Sequence, residues 1–329
     1  SRHRLSWKIE KTRPYFTYPH YSTMRVPSLA LTLTLILPAS GQLALKQVDQ
    51  TIEVKNGNQL VTIFRADKQV PCLYPLIGPG GSNITRHFPF KKDVAGEQSD
   101  HPHHISFWFT HGLINGHDFW HRSKNVPPSN IVLKSYGDIA KNSFTANLAW
   151  EHNSKALLNE KRRYSFSVSE KDLIIDLTST LTALEDVTFG DTKEGSLGLR
   201  LTPSLRLKGK VAKGSIENSE GHKDGAAWGK RAKWVAYHGP NSEGEATVVA
   251  LMDHPDNLRH PTWWHARDYG LLAANPFGQH DFEGKKKEPH LGDHLLEKGK
   301  SLTQKYRLII QHGSFSADSL KTNFTNFSK

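Results

Sequence analysis

The chain has 329 residues and a formal net charge of +11, and 36% of its residues are hydrophobic and 10% aromatic. That is ample apolar material for a packed core and excludes a disordered chain. A single cysteine, Cys72, excludes an intramolecular disulfide and a thiolate metal cage.

Residues 1–23 carry mixed charge and aromatics without periodicity and precede Met24, so they are expected to be upstream sequence outside the fold. Residues 24–41, MRVPSLALTLTLILPASG, show Arg25, an apolar run from Leu29 to Leu37, and small residues at Ala39, Ser40 and Gly41. This order predicts a secretory signal peptide whose apolar run is too short to span a bilayer, with Gln42 as the mature start and a secreted or periplasmic location. Setting aside six basic residues (Arg2, Arg4, Lys8, Lys11, Arg13, Arg25) and one acid (Glu10) lowers the charge from +11 to +6. The one basic run, Lys285 to Lys287, lies in a loop, so nucleic acid is not an expected partner.

From residue 42 the chain reads as short strands. Apolar residues alternate at Tyr164, Phe166 and Val168; at Leu173, Ile175 and Leu177; at Leu197, Leu199 and Leu201; and at Tyr306, Leu308 and Ile310. Turns are expected at Lys55 to Gly57, Ser169 to Asp172 and Gly239 to Glu245, and a short helix from Ser316. The pattern predicts an all-β fold, a large antiparallel β-sandwich of supersandwich or jelly-roll type, forming a single domain over residues 42–329. Two long loops, Ile77 to Asp100 and Gly278 to Lys300, flank histidine-rich segments and are expected to be functional.

The segment HPHHISFWFTHGLINGHDFWH, residues 101–121, holds six histidines and two tryptophans. A strand over Ile105 to Thr110 would put His104, Ser106 and Trp108 on one face and Ile105, Phe107 and Phe109 on the other. His101, His103 and His104, or two of them such as His101 and His103 with His111 or His265, could ligate a divalent metal ion. Alternatively the imidazoles bind hydroxyl groups and exchange protons while Trp108 and Trp120 stack on an apolar ligand face, or the cluster is a buried structural network. In residues 251–278 a strand over Thr262 to Tyr269 would align Trp263, His265, Arg267 and Tyr269 opposite Trp264, Ala266 and Asp268, beside Asn257, Arg259 and Asn275. Between these blocks, Asp191 and Glu194 are candidate carboxylates, and Arg200 could pair with one of them or hold an anionic group.

The blocks together resemble the bacterial methane oxygenase PmoA-like family. The matching stretches are HPHH with Trp108, His111-Gly112, Asn115-Gly116, Asp118 to Trp120, DTKEG at Asp191 to Gly195, His254-Pro255, Asn257, Arg259, Pro261, WHAR at Trp264 to Arg267, Tyr269-Gly270 and NPFG at Asn275 to Gly278. Ile105 and Leu113 depart from it where a basic and an acidic residue are expected. The resemblance spans most of the mature chain and implies no established catalytic residues. A looser likeness, carried by KYRLIIQHG at Lys305 to Gly313 and the preceding strands, is to the galactose-mutarotase type of sandwich.

The expected function is therefore a carbohydrate-active enzyme acting as an epimerase, lyase or hydrolase on a sugar, glycoside or oligosaccharide. His104 and His265 would exchange protons, with Glu194 or Asp191 as partner. Trp108, Asp118, Trp120, Arg200, Asn257, Arg259, Trp264, Arg267, Tyr269 and Asn275 would bind substrate. The alternatives are a His-ligated metalloenzyme and a non-catalytic glycan-binding protein.

Overall fold

Two eight-stranded antiparallel sheets form the framework of the computed structural model, which describes residues 10–17, 42–121 and 129–329. The expected signal peptide at 24–41 lies outside the described residues. Ser40–Lys329 form one compact unit; in the other, Ser1–Ala39, the described residues 10–17 have no regular secondary structure.

From edge to edge the first sheet runs Leu43–Val48, Thr51–Asn56, Gln59–Arg65, Cys72–Leu76, Phe107–His111, Gly195–Arg200, Leu271–Asn275 and Trp263–Ala266. The second runs Ser215–Asn218, Trp234–Pro240, Ala246–Asp253, Ser301–His312, Asp172–Ala183, Lys155–Val168, Ser143–His152 and Ser129–Ile139. The expected alternation is realised in Asp172–Ala183, where every second residue from Leu173 to Ala183 is buried. Aromatic side chains join the sheets face to face: Phe64 of the first lies 5.0 Å from Phe144 and 5.6 Å from Tyr164 of the second, and Phe109 lies 6.1 Å from Trp150.

The helix Ala317–Phe327 starts where expected, with Ser316 Oγ accepting the Ser319 N–H. It packs Leu320, Phe324 and Phe327 on the outer face of the second sheet. Among the described residues no helix is long and apolar enough to cross a membrane. The loop from Gly278 to Lys300 differs from expectation in containing a short helix, Gln279–Phe282, and a strand, His294–Leu296.

The strands Phe107–His111, Gly195–Arg200 and Leu271–Asn275 are buried along their whole length. One face of these strands meets the second sheet, so the other must be covered by loops, and this is where the histidine-rich segments go.

Candidate functional site

Register alone decides which side chains share this outer face. Trp108 pairs with Gly198, Gly198 with Ala273, and Ala273 with His265, so Trp108 and His265 project from the same side. Arg200 and Asn275, each two positions along its strand, join them. Phe109, Leu197, Ala274 and Trp264 form the neighbouring row and point into the inter-sheet core. The expected split of Trp263 and His265 from Trp264 and Ala266 is thus observed, although the strand is only Trp263–Ala266 and Arg267 and Tyr269 lie in the turn beyond it. Trp264 is therefore a core residue, its indole N–H donated to the Ala232 carbonyl (2.8 Å), and not a ligand contact.

Gly198 makes room for the Trp108 ring. A β-carbon at this position would fall 2.6 Å from the indole, so the ring lies directly over the sheet backbone. Gly112 has a comparable role: its N–H donates to the Glu194 carbonyl (2.7 Å), and a β-carbon there would collide with that oxygen. The close approach brings the Glu194 loop beside the 101–121 segment.

The strand expected over Ile105 to Thr110 begins two residues later, at Phe107, because Ser106 adopts a φ of 68°. Ser106 then bonds to the Thr85 hydroxyl (2.7 Å), away from the histidines. His104 is consequently delivered by a loop. Its ring lies 5.5 Å from Trp108, 4.8 Å from His101 and 4.4 Å from His103, and His103 in turn contacts His121 at 4.6 Å. Tyr269 stacks on His101 at 5.2 Å, and Trp120 packs on Trp108 at 5.1 Å. Both indole N–H groups, buried, lack a hydrogen-bond partner among the described residues and are donors in reserve.

Beneath this aromatic group lies a charge network that the sequence reading did not include. Arg86 and Arg200, both buried, converge on Asp100 at 2.5 and 3.0 Å. Arg86 also donates to the His101 carbonyl (2.9 Å), which holds the HPHH turn. Asp100 immediately precedes that motif and is the signal that could have found it; Arg86, in the Gly/Pro-rich loop, has no local signature.

Partners fix the ring nitrogens. Arg200 can only donate, so His104 Nδ1, 2.9 Å from Arg200 Nη1, is an acceptor and its proton resides on Nε2. His265 Nδ1 donates to the Lys193 carbonyl (3.1 Å) and leaves Nε2 as a bare acceptor. His111 Nε2 donates to the Gly190 carbonyl (2.8 Å). Burial is the main cause that pushes all three below the ordinary histidine pKa, His111 to about 4 and His265 to about 3. They are fixed neutral donors and acceptors at neutral pH. Three strand spacings separate Trp108 from His265, roughly 14 Å, so His104 and His265 do not meet on one atom.

The exposed rim is different. Asp118 accepts the backbone N–H groups of Trp120 and His121 (2.8 and 2.9 Å), and its second oxygen accepts His121 Nδ1–H at 2.9 Å. That bond is the main cause raising the His121 pKa. Asp118 thus positions His121, a residue not expected in the site from the sequence, and the two form an exposed carboxylate–imidazole pair. Glu194, half-buried, lies within electrostatic reach of His121 and Tyr269. In a histidine-resolved NMR titration His121 should titrate above the ordinary value of about 6.5, and Asp118→Asn should bring it back down; an unmoved pKa would contradict the pairing.

Other expected residues are bound elsewhere. Asp191 accepts the backbone N–H groups of Gly292 (2.6 Å) and His280 (3.0 Å). Asn275 donates to the Thr192 carbonyl and accepts from Phe277 and Gly278. Arg259 donates to the carbonyls of Pro276, Gly292 and Asp293. Asn257 bridges Asp253 and the Lys305 backbone. These four close loops over the sheet, with their polar groups spent on backbone or neighbouring side chains.

The expected metal ligands divide likewise: His111, packed 4.7 Å from Phe277, belongs to a separate cluster from His101 and His103. Among the described residues no group of three or more His, Cys, Asp or Glu side chains is disposed to hold a metal ion.

The sequence model of a family of unknown function, DUF6807, matches residues 51–325. No match is found among the curated proteins. Among solved structures, an α-galactosidase from Lactobacillus brevis overlaps at TM-score 0.40 and 11% identity, covering 87% of this chain, which spans 41% of the galactosidase's length. A galactose mutarotase related enzyme from Lactobacillus acidophilus overlaps at TM-score 0.31 and 11% identity, covering 83% of this chain and 97% of the other. A galactose mutarotase-like protein from Lactobacillus casei overlaps at TM-score 0.33 and 9% identity, covering 82% and 100%.

Proposed function

The chain belongs to the family of unknown function DUF6807, and from its own geometry we propose a carbohydrate-active enzyme whose site is the loop-covered outer face of the first sheet. The observation that carries this is a two-tier arrangement. The floor holds neutral groups of fixed direction, with His104 Nε2–H presented by Arg200 and the spare indole N–H groups of Trp108 and Trp120. Above it stand groups that can change charge, His121 with Asp118, and Glu194, beside Tyr269. Directional donors beside aromatic rings suit a polyol, and a carboxylate-paired imidazole suits proton transfer.

Proton exchange therefore passes from His104 and His265 to His121, with Glu194 as its partner. The reaction class is that of an epimerase, lyase or hydrolase. Export through residues 24–41 would place the substrate outside the cytoplasm, and the motif likeness to the PmoA-like family adds no residue role.

The test is a product screen on polysaccharides and glycosides, read by mass spectrometry, with the wild-type chain and His121→Ala. General acid–base catalysis typically contributes 10²- to 10⁴-fold, so His121→Ala should lose about a hundredfold or more of the turnover. Undiminished turnover would remove His121 from the mechanism. Binding without product across the screen would favour a glycan-binding protein, a reading that the exposed His101, His121 and Asp118 side chains also fit.

A further inference from the structure

The two guanidinium groups nearest Tyr269 have unequal company. Arg200, buried, lies 4.6 Å from the Tyr269 ring centre and spends its Nη groups on His104 and Asp100. Arg267, half-buried, lies 5.3 Å from the same centre. Its guanidinium makes no hydrogen bond and no ion pair among the described residues. The nearest acid in sequence, Asp268, is instead paired with Lys208 at 2.7 Å.

Asp268 lies within electrostatic reach of Arg267 but does not bond to it. Arg86 and Arg200 share the one carboxylate of Asp100, so the floor beneath Tyr269 carries an excess positive charge. Arg206, also buried, adds to that charge, and Glu97, within electrostatic reach of Arg86 and Arg206, offsets part of it, so three guanidinium groups face two carboxylates. On the rim, Lys193 stands 3.6 Å from Glu194. A planar fork of donors held against an aromatic ring, with no acceptor among the described residues and cations behind it, is arranged for a planar anion.

We propose that the substrate is an acidic sugar, and that Arg267 receives its carboxylate. This rests on the carbohydrate reading above and deepens it from sugars in general to uronates. Arg267 is then a specificity residue. Its role is recognition of the charged substituent, and proton transfer stays with His121.

The test compares oligogalacturonate and oligoglucuronate with their methyl esters, which keep the sugar and remove the charge. Neutral galactan and glucan oligomers and sulfated galactan oligomers of equal length complete the set. Binding is read by tryptophan fluorescence together with calorimetry, for the wild-type chain, Arg267→Ala and Arg267→Lys. A charge-assisted hydrogen bond is worth about tenfold to a hundredfold in affinity. The wild type should prefer acid over ester by about that factor, the ratio should collapse toward one in Arg267→Ala and shrink at high salt, and Arg267→Lys should keep part of it. Unchanged circular dichroism and melting temperature would establish that the variants are folded.

Equal affinity for acid and ester, or a preference that survives Arg267→Ala, would overturn the uronate inference while leaving a sugar site in place. Tighter binding of the sulfated oligomers would reassign the anion. Failure of every acidic, esterified, sulfated and neutral oligomer to bind would overturn the carbohydrate reading itself.

Discussion

Glu160→Ala is expected to destabilise the protein by about 3–5 kcal/mol, the cost of stranding a buried charge. Glu160 and Arg162 lie on the inward face of the strand Lys155–Val168, and both side chains are fully buried between the sheets. The Glu160 carboxylate receives Arg162 at 2.7 Å, the Trp150 indole N–H at 2.7 Å and the Ser179 hydroxyl at 2.7 Å. Arg162 also donates to the Phe109 carbonyl (3.1 Å), so the network joins the sheet that carries the site to the one behind it. Burial alone would depress the Arg162 pKa, but Glu160 and Tyr164 raise it, so removing the acid leaves a guanidinium that cannot shed its proton.

The double change Glu160→Leu with Arg162→Met should recover most of the loss, because replacing a buried pair by apolar residues of similar volume is often neutral or stabilising. Urea denaturation of the wild type, the single and the double variant decides the matter. A single-variant cost below about 1 kcal/mol, the level of an exposed pair, would show that water or another cation compensates.

The second large effect is acid lability. His104, His111 and His265 are held neutral by burial, with folded pKa values of about 4 for His111 and about 3 for His265 and a still deeper depression at His104. The unfolded chain takes up protons on these residues below about pH 6.5 and the folded chain does not, so stability is complete above that pH and falls as pH drops toward the folded values. Each contributes a slope of about 1.4 kcal/mol per pH unit, and the three together approach about 4 kcal/mol per unit.

His87, His238, His254 and His294, also lowered by burial, act in the same direction. His121 acts oppositely: its raised pKa adds stability as pH falls through it. Carboxylates enter mainly below about pH 4.5, so the window from 6.5 to 4.5 isolates the histidines. Melting temperatures across that window should fall steeply, and less steeply in His265→Asn, whose amide can still donate to Lys193. A flat profile would mean that these rings are protonated, and therefore hydrated, in the folded state.

The sequence was informative where structure is local. Strand positions in Lys155–Val168, Asp172–Ala183 and Ser301–His312 follow from a two-residue period, and the helix from a serine cap, because both depend on neighbours a few residues away. The separation of Trp263 and His265 from Trp264 and Ala266 followed from the same period. Legibility ended where a polar side chain had to choose a partner. Arg259 and Arg267 look alike in sequence, but one bonds the carbonyls of Pro276, Gly292 and Asp293 and the other faces Tyr269 with no acceptor among the described residues. Asp191 and Asp118 look alike too, and one closes a loop while the other orients an imidazole.

By itself, then, the sequence determined the all-β class, the strand periods and the concentration of imidazole and indole in residues 101–121. Tertiary structure alone decided what those imidazoles are. His104, His265 and His111 take their tautomers from Arg200, Lys193 and Gly190, which lie 96, 72 and 79 residues away, and their neutrality mainly from burial. Only His101, His103, His104 and His121 gather beside Trp108 and Tyr269, while His111 turns to Phe277 and His117 stacks on His152. The physical reason is that strand geometry is written in the repeat of nearby side chains, whereas a ring's proton and charge are set by the groups that surround it in space.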